Sequence, residues 1–170
     1  MATYSAKVSS GVIATKVDSI VGTNDTRVSV QLPDGSAPLE FTSGTGAGAI
    51  NKMGYGSISL AAAATTVALD AVSSTITNWV GDTAFTKIKE LYIYNAATAG
   101  TTKPVTVGAA ASVAFVGPMG GTTPTQAIDA ATALHWTSTE ANGWSCSTNK
   151  NLKLDPGANT VTVYIVIAGN

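Results

Sequence analysis

Apolar and polar residues alternate most strictly toward the end of the chain. In Asn159–Gly169, Val161, Val163, Ile165 and Ile167 fall on one side of an extended strand, and Thr160, Thr162, Tyr164 and Val166 on the other. β-Branched residues dominate, and both sides become apolar toward the end. That is the pattern of a strand in the middle of a sheet, buried on two faces. Ahead of it, Asp155-Pro156-Gly157-Ala158-Asn159 reads as a turn. Asn151–Leu154 reads as the partner strand, with Leu152 and Leu154 inward and Lys153 outward. A second strong strand, Ala84–Asn95, changes phase, because Ile88 is at an even position and Leu91 and Ile93 at odd ones. Such a strand needs a bulge near Lys89–Glu90 or cover on both sides.

Further strands are expected over Thr26–Leu32, Leu39–Thr42, Gly56–Leu60, Thr66–Leu69, Ser74–Trp79, Val105–Val107, Val113–Val116, Leu134–Trp136 and Gly143–Cys146. Helix signals are few. Ala61–Ala64 runs into Thr65, Thr66 and Val67, which favour strand. Thr125–Leu134 is the remaining candidate for a short helix, with Ile128, Ala131 and Leu134 at helical spacing. Many short strands at this spacing predict an all-β fold, a jelly-roll or β-sandwich domain.

Residues 1–55 differ in character. They hold the turn Pro33-Asp34-Gly35 and the run Ser43-Gly44-Thr45-Gly46-Ala47-Gly48-Ala49, which reads as a flexible linker. Thr26–Leu32 and Leu39–Thr42 can pair across the turn as a lone hairpin, marginal by itself in water. The expected organisation is an extended N-terminal arm over residues 1–55, stabilised by another chain, and a compact domain over residues 56–170.

Composition sharpens this reading. The chain holds 27 Ala, 25 Thr, 17 Gly and 15 Ser, and only 11% of its residues are charged. Ordinary surfaces carry roughly 25–35% charge, so one this poor in charge suits cover by other subunits. Nine basic against ten acidic residues leave no field for phosphates, which argues against a nucleic-acid partner. The first ten residues lack the charge and apolar core of a signal peptide. The Ala61–Ala71 stretch is interrupted by Thr65, Thr66 and Asp70, short of the roughly 20 apolar residues of a membrane span. No membrane partner and a cytoplasmic site of synthesis are therefore expected.

Candidate chemistry is sparse. His135, the only histidine, lies between Leu134 and Trp136, and a structural histidine is the simpler reading. Cys146, the only cysteine, excludes a disulfide within the chain and reads as a buried inert thiol. Neither has partners for a zinc set. Asp18, Asp25, Asp34, Asp70, Asp82, Asp129 and Asp155 are scattered and match no calcium-loop pattern. Gly44, Gly46 and Gly48 match neither dinucleotide nor phosphate-loop spacing. Trp79, Trp136 and Trp144 are candidates for a sugar platform, but tryptophans also fill sandwich cores. The expected site assignment is no catalytic, cofactor or metal residues.

Several segments carry a family likeness: Phe85–Asn95, Val105–Phe115, Asn142-Gly143-Trp144, Asn149–Leu154 and the closing Val161–Ala168 strand. Across residues 56–170 this pattern of short strands resembles the decoration, or cement, proteins of tailed-bacteriophage capsids. The resemblance implies a non-enzymatic virion protein made in the host cytoplasm. It implies binding to the major capsid protein on the capsid surface, as a homo-oligomer, often a homotrimer, that bridges neighbouring capsid subunits. It carries over no site residues. Residues 1–55 lie outside it. The rival readings are a tail-tube or other tail structural protein, and a carbohydrate-binding β-sandwich module on a fibre.

Overall fold

The computed structural model describes the backbone of residues 3–7, 12–18, 24–30, 39–108 and 110–170, and the side chains of residues 41, 43–108 and 110–170. The fold is all-β and antiparallel apart from one two-stranded pair, with two short 3₁₀ turns, Val72–Ser74 and Gly117–Met119, as its helical elements among the described residues. None of the described helices is long and apolar enough to cross a membrane.

Four strands open the chain: β1 (Thr3–Lys7), β2 (Val12–Asp18), β3 (Asn24–Val30) and β4 (Leu39–Glu40). They form one antiparallel sheet in sequence order. The expected hairpin is part of it, with Ser29 opposite Glu40 and Val30 opposite Leu39. It is not alone, because β1 and β2 extend it to four strands. Its turn at Pro33-Asp34-Gly35 lies outside the described residues. Next come β5 (Thr42–Ser43) and β6 (Ala49–Ile50), paired in parallel.

The body follows: β7 (Lys52–Ala61), β8 (Thr65–Ala68), β9 (Val80–Gly81), β10 (Lys87–Asn95), β11 (Val105–Gly108), β12 (Thr125–Ile128), β13 (Ala133–Thr137), β14 (Trp144–Ser145), β15 (Asn151–Asp155) and β16 (Thr160–Gly169). The expected domain boundary at residues 55 and 56 falls inside β7. One sheet has the order β13-β10-β16-β7-β9, with β14 also on β10, and a second has the order β12-β11-β15-β8. The long pairings are nested in sequence. β11 pairs with β12, β10 with β13, β8 with β15, and β7 with β16, so successive pairs fall in alternate sheets.

Both sheets contribute to one buried cluster. Leu91, Ile93, Val161, Val163, Ile165 and Ile167 enter it from the larger sheet, and Val67, Val105, Val107, Ile128, Leu152 and Leu154 from the smaller. A strand ribbon with one apolar face must bury that face, and two such faces meeting solve the problem for both. β16 lies between β10 and β7, as its two-sided apolar end requires. On its other face Val166 and Ala168 join a second buried cluster with Phe41, Ile50, Met53 and Tyr92.

Four expectations are corrected. Asp155–Asn159 is a turn, with Gly157 at φ +60°, but it does not close a hairpin. β15 pairs with β11 and β8, and the turn carries the chain to the other sheet. Both edges of β16 are already taken, so Leu152 and Leu154 meet its apolar face across the core instead of beside it. Thr125–Leu134 is not a helix. Asn95, fully buried, donates to the carbonyls of Ile128 and Lys103, and its backbone bonds Ala131 and Thr132, which folds the segment into β12, a turn and β13. Ser74–Trp79 is not a strand either. Its apolar residues follow Val72, Ile76, Trp79 spacing, and a series of turn bonds brings Ile76 and Trp79 onto the core. Trp79 lies so close to Gly54 that a Cβ there would sit 2.5 Å from its ring. Over Val113–Val116 only Ala114 makes a bridge, because Asn151 bonds Ser112 and Val113 and turns the chain, with Val113 at φ +43°.

Ile165 and Thr162 test the register of β16. Ile165→Ala should lower unfolding free energy by about 2–5 kcal/mol, the range for truncating a buried isoleucine. Thr162→Ala, half-buried on the outer face, should lie within about 0.5 kcal/mol of the parent. Urea titration of both variants checks this, and equal losses would contradict the register.

Candidate functional site

The larger sheet has an outer face, turned away from the shared core. The slip expected in β10 is a bulge, with the pairing to β16 shifting between Ile88 and Glu90. Ile88 and Leu91 both reach the core, and Lys89 and Glu90 are both fully buried outside it. Buried charge is costly unless it is bonded. Lys89 is satisfied by the glycine-rich segment, since its Nζ donates to the carbonyls of Gly46 and Ala49, the latter at 2.7 Å. Burial, followed by the nearby Lys87 ammonium, holds its amine below the usual lysine range.

The glycine run is therefore not a free linker. Gly48, at φ +60°, donates its amide to Thr139, and Gly44 donates to Ile50. Bare backbone lets the loop fold its carbonyls onto an ammonium.

Glu90 is met by His135, whose Nε2 is bonded to Oε1; the other carboxyl oxygen has no hydrogen-bond partner among the described residues. His135 sits on β13 opposite Tyr92, whose ring it meets edge-on with centroids 6.0 Å apart. His135, read from the sequence as a structural histidine, ties β13 to β10 through a carboxyl group 45 residues away.

Beyond this polar group the outer face divides. At one end Phe41 and Ile50 cover Met53, Tyr92, Val166 and Ala168. Tyr55 and Tyr94, half-buried, pack against this cluster, and Tyr164 lies beyond them. Tyr164 is 52% exposed, and the Tyr94 and Tyr164 rings lie 6.4 Å apart at 35°. Register places Tyr94 beside Tyr164 and Tyr164 beside Ser57, whose backbone and hydroxyl are both bonded by Asn78.

The remaining candidates have local roles. Cys146 is buried and donates to the Phe85 carbonyl at 3.2 Å; burial and the Asp70 carboxylate push its thiol up to about 12. Asp70 pairs with Lys150, and Asp82 accepts the Met53 amide. The Asp129 carbonyl accepts Thr132 in the turn after β12. Asp155 accepts Gly157 and pairs with Lys153, both of which hold its carboxyl below the usual range. The side chains of Asp18 and Asp25, and all of Asp34, lie outside the described residues. Among the described residues no three His, Cys, Asp or Glu side chains are grouped to hold a metal ion. The three tryptophans do not form a platform. Trp79 packs at the β7 side of the core, and Trp136 and Trp144 at the β13 and β14 side.

No protein-family model matches the sequence, and comparison with curated proteins gives no match. Nothing in the sequence marks Asn95 or Tyr55, Tyr94 and Tyr164 as a group, and it marks Lys89–Glu90 only as the place of a bulge. The one local signal was the phase slip at Lys89–Glu90, where two consecutive charges interrupt an apolar strand.

Two outcomes are expected. Native Cys146 should react with a disulfide reagent more than about 100-fold slower than a free thiol, and fully once unfolded in guanidinium; fast labelling of folded protein would contradict its burial. His135→Ala leaves the Glu90 carboxyl buried with neither oxygen paired, and should cost about 3–5 kcal/mol. Adding Glu90→Gln should recover part of that loss, because neighbouring sites couple. Additive losses in urea titration would show that the pair does not interact.

Proposed function

We propose that this protein is a non-enzymatic structural component of a tailed-phage virion, a decoration protein that binds the outside of the capsid and bridges neighbouring shell subunits. In this reading the two body sheets form a jelly-roll sandwich. The residues before β7 are an N-terminal arm, its last part lying along the outer face, and the protein acts as a homo-oligomer, a trimer by the family resemblance.

The observation that carries the proposal is the strand order. Four nested pairs, alternating between a β13-β10-β16-β7 layer and a β12-β11-β15-β8 layer, correspond to the double-sheet jelly roll used in viral shells and in lectins. The polar groups favour the shell use. Lys89 is bound to Gly46 and Ala49, Glu90 to His135, Asp82 to Met53, and Asn78 to Ser57. Each holds one segment of the chain to another, a use suited to a mechanical part. The tryptophans are applied to the core, and the most open aromatic face carries tyrosines on a charge-free part of the sheet, where a like surface can pack without desolvating ions.

Quantitative mass spectrometry of purified virions tests this. The protein should be present at a fixed ratio to the major capsid protein and should sediment with isolated heads, and heads lacking it should rupture at lower temperature. Its recovery with tails alone, or its absence from particles, would overturn the proposal. Limited proteolysis should cut the residues before β7 faster in free protein than on heads.

A further inference from the structure

Asn142-Gly143 is the only asparagine–glycine pair in the chain. It lies in the bend between β13 and β14, and Asn142 is exposed. An asparagine amide can be attacked by the main-chain nitrogen of the next residue, which makes asparagine thermolabile. A side chain on that next residue hinders the approach, and glycine has none. Asn51, Asn78 and Asn149 are exposed too, but Lys52, Trp79 and Lys150 follow them.

The fold itself demands this glycine. Gly143 has φ +52°, and a Cβ there would sit 2.5 Å from the Ile88 carbonyl oxygen and 2.9 Å from Lys89 Cγ. The bulged start of β10 thus requires the one residue type that leaves Asn142 open to attack. The same strand supplies an activating group. Lys87 Nζ donates to Asn142 Oδ1 at 3.3 Å, which draws electron density from Cγ. The Gly143 amide donates to the Glu140 carbonyl at 3.2 Å, and an exposed turn of this kind opens locally at little cost.

We propose that Asn142 deamidates in the folded protein, with the Gly143 nitrogen as nucleophile and Lys87 polarising the amide. The Gly143 nitrogen gives its proton to solvent base and bonds Asn142 Cγ. The Cγ–Nδ2 bond breaks, and ammonia leaves with a proton taken from solvent. A succinimide ring remains. Water adds to either of its carbonyls and opens it, to aspartate or to isoaspartate. The two products differ in consequence. Aspartate keeps the main chain and sets a carboxylate beside Lys87. Isoaspartate adds a main-chain carbon just before Gly143, where the contacts with Ile88 and Lys89 leave no space. Trp144 pairs with Ile88 and Ser145 with Lys87, so isoaspartate works to release β14 from β10. Age is thereby written into the strand ends around the bulge.

The folded chain is aged at mildly alkaline pH, and mass spectrometry resolves its peptides into asparagine, aspartate and isoaspartate forms. Asn142 should convert several times faster than any other asparagine. Lys87→Met should slow the conversion roughly two- to tenfold, the worth of one hydrogen bond, and the difference should vanish in urea. Asn142→Gln, whose longer arm disfavours ring closure, should stay unaltered at that position. Cys146 follows β14 and reports the consequence. Its protection from a disulfide reagent shows that each fresh variant is folded. Aged protein carrying isoaspartate should lose part of that protection, and Asn142→Asp should keep it. Survival of Asn142 in folded protein while it is lost in urea would overturn the proposal. So would faster loss at another asparagine, ageing of Lys87→Met at the parent rate, or equal Cys146 protection in the isoaspartate form and Asn142→Asp.

Discussion

A single inserted residue near the start of β10 governs the arrangement around it. The bulge at Lys89 lets Ile88 and Leu91 both reach the core, and it sends two successive charged side chains to the outer side of the sheet. Neither charge tolerates a dry environment alone. Lys89 draws in the carbonyls of Gly46 and Ala49, and Glu90 takes His135. The partner strand changes at the same point, with β14 opposite residues 87–88 and β13 opposite residues 90–94. The position of the glycine-rich loop, the burial of Phe41 and Ile50, and the extent of the tyrosine face left open beyond them all follow from that one irregularity.

The two clusters divide the load on β16. Its odd positions bind the two body sheets together, and its last even positions hold the covering segment that leads to the N-terminal sheet. Asn95 performs a similar joining role with polar groups. It is fully buried yet bonded through both side-chain atoms, to Lys103, Ile128 and Ala97, and so links the end of β10 to the connections of the other sheet. Apolar burial supplies the cohesion here, and a few satisfied polar groups fix which strand ends meet.

The sequence is most readable where a strand carries its own evidence. β16 is visible from Val161, Val163, Ile165 and Ile167, and the bulge from the clash of phase between Ile88 and Leu91. What fails is the choice of partner. Leu152 and Leu154 alternate correctly, yet nothing local says that β15 joins Val67 and Val107 instead of the strand across the next turn. Ile76 and Trp79 show apolar spacing that fits a series of turns as well as a strand. Glu90 and His135 look like an odd charge and a lone histidine until the sheet places them side by side. The tyrosine face is hidden for the same reason, since Tyr55, Tyr94 and Tyr164 belong to three strands whose adjacency is a property of the whole fold.

The nested pairing has a kinetic consequence. Gly56 and Ile165 are neighbours across β7 and β16, although more than a hundred residues separate them along the chain. Of the nested pairs, β11 and β12 lie nearest in sequence, and each outer pair closes a longer loop than the one inside it. Loops of that length cost entropy before any contact rewards them, and folds dominated by such pairings form in milliseconds to seconds. Until β16 inserts, β7 and β10 present unpaired edges, an invitation to wrong partners. The central strand is thus also the last part of the lock to turn, and it closes both open edges in a single late step.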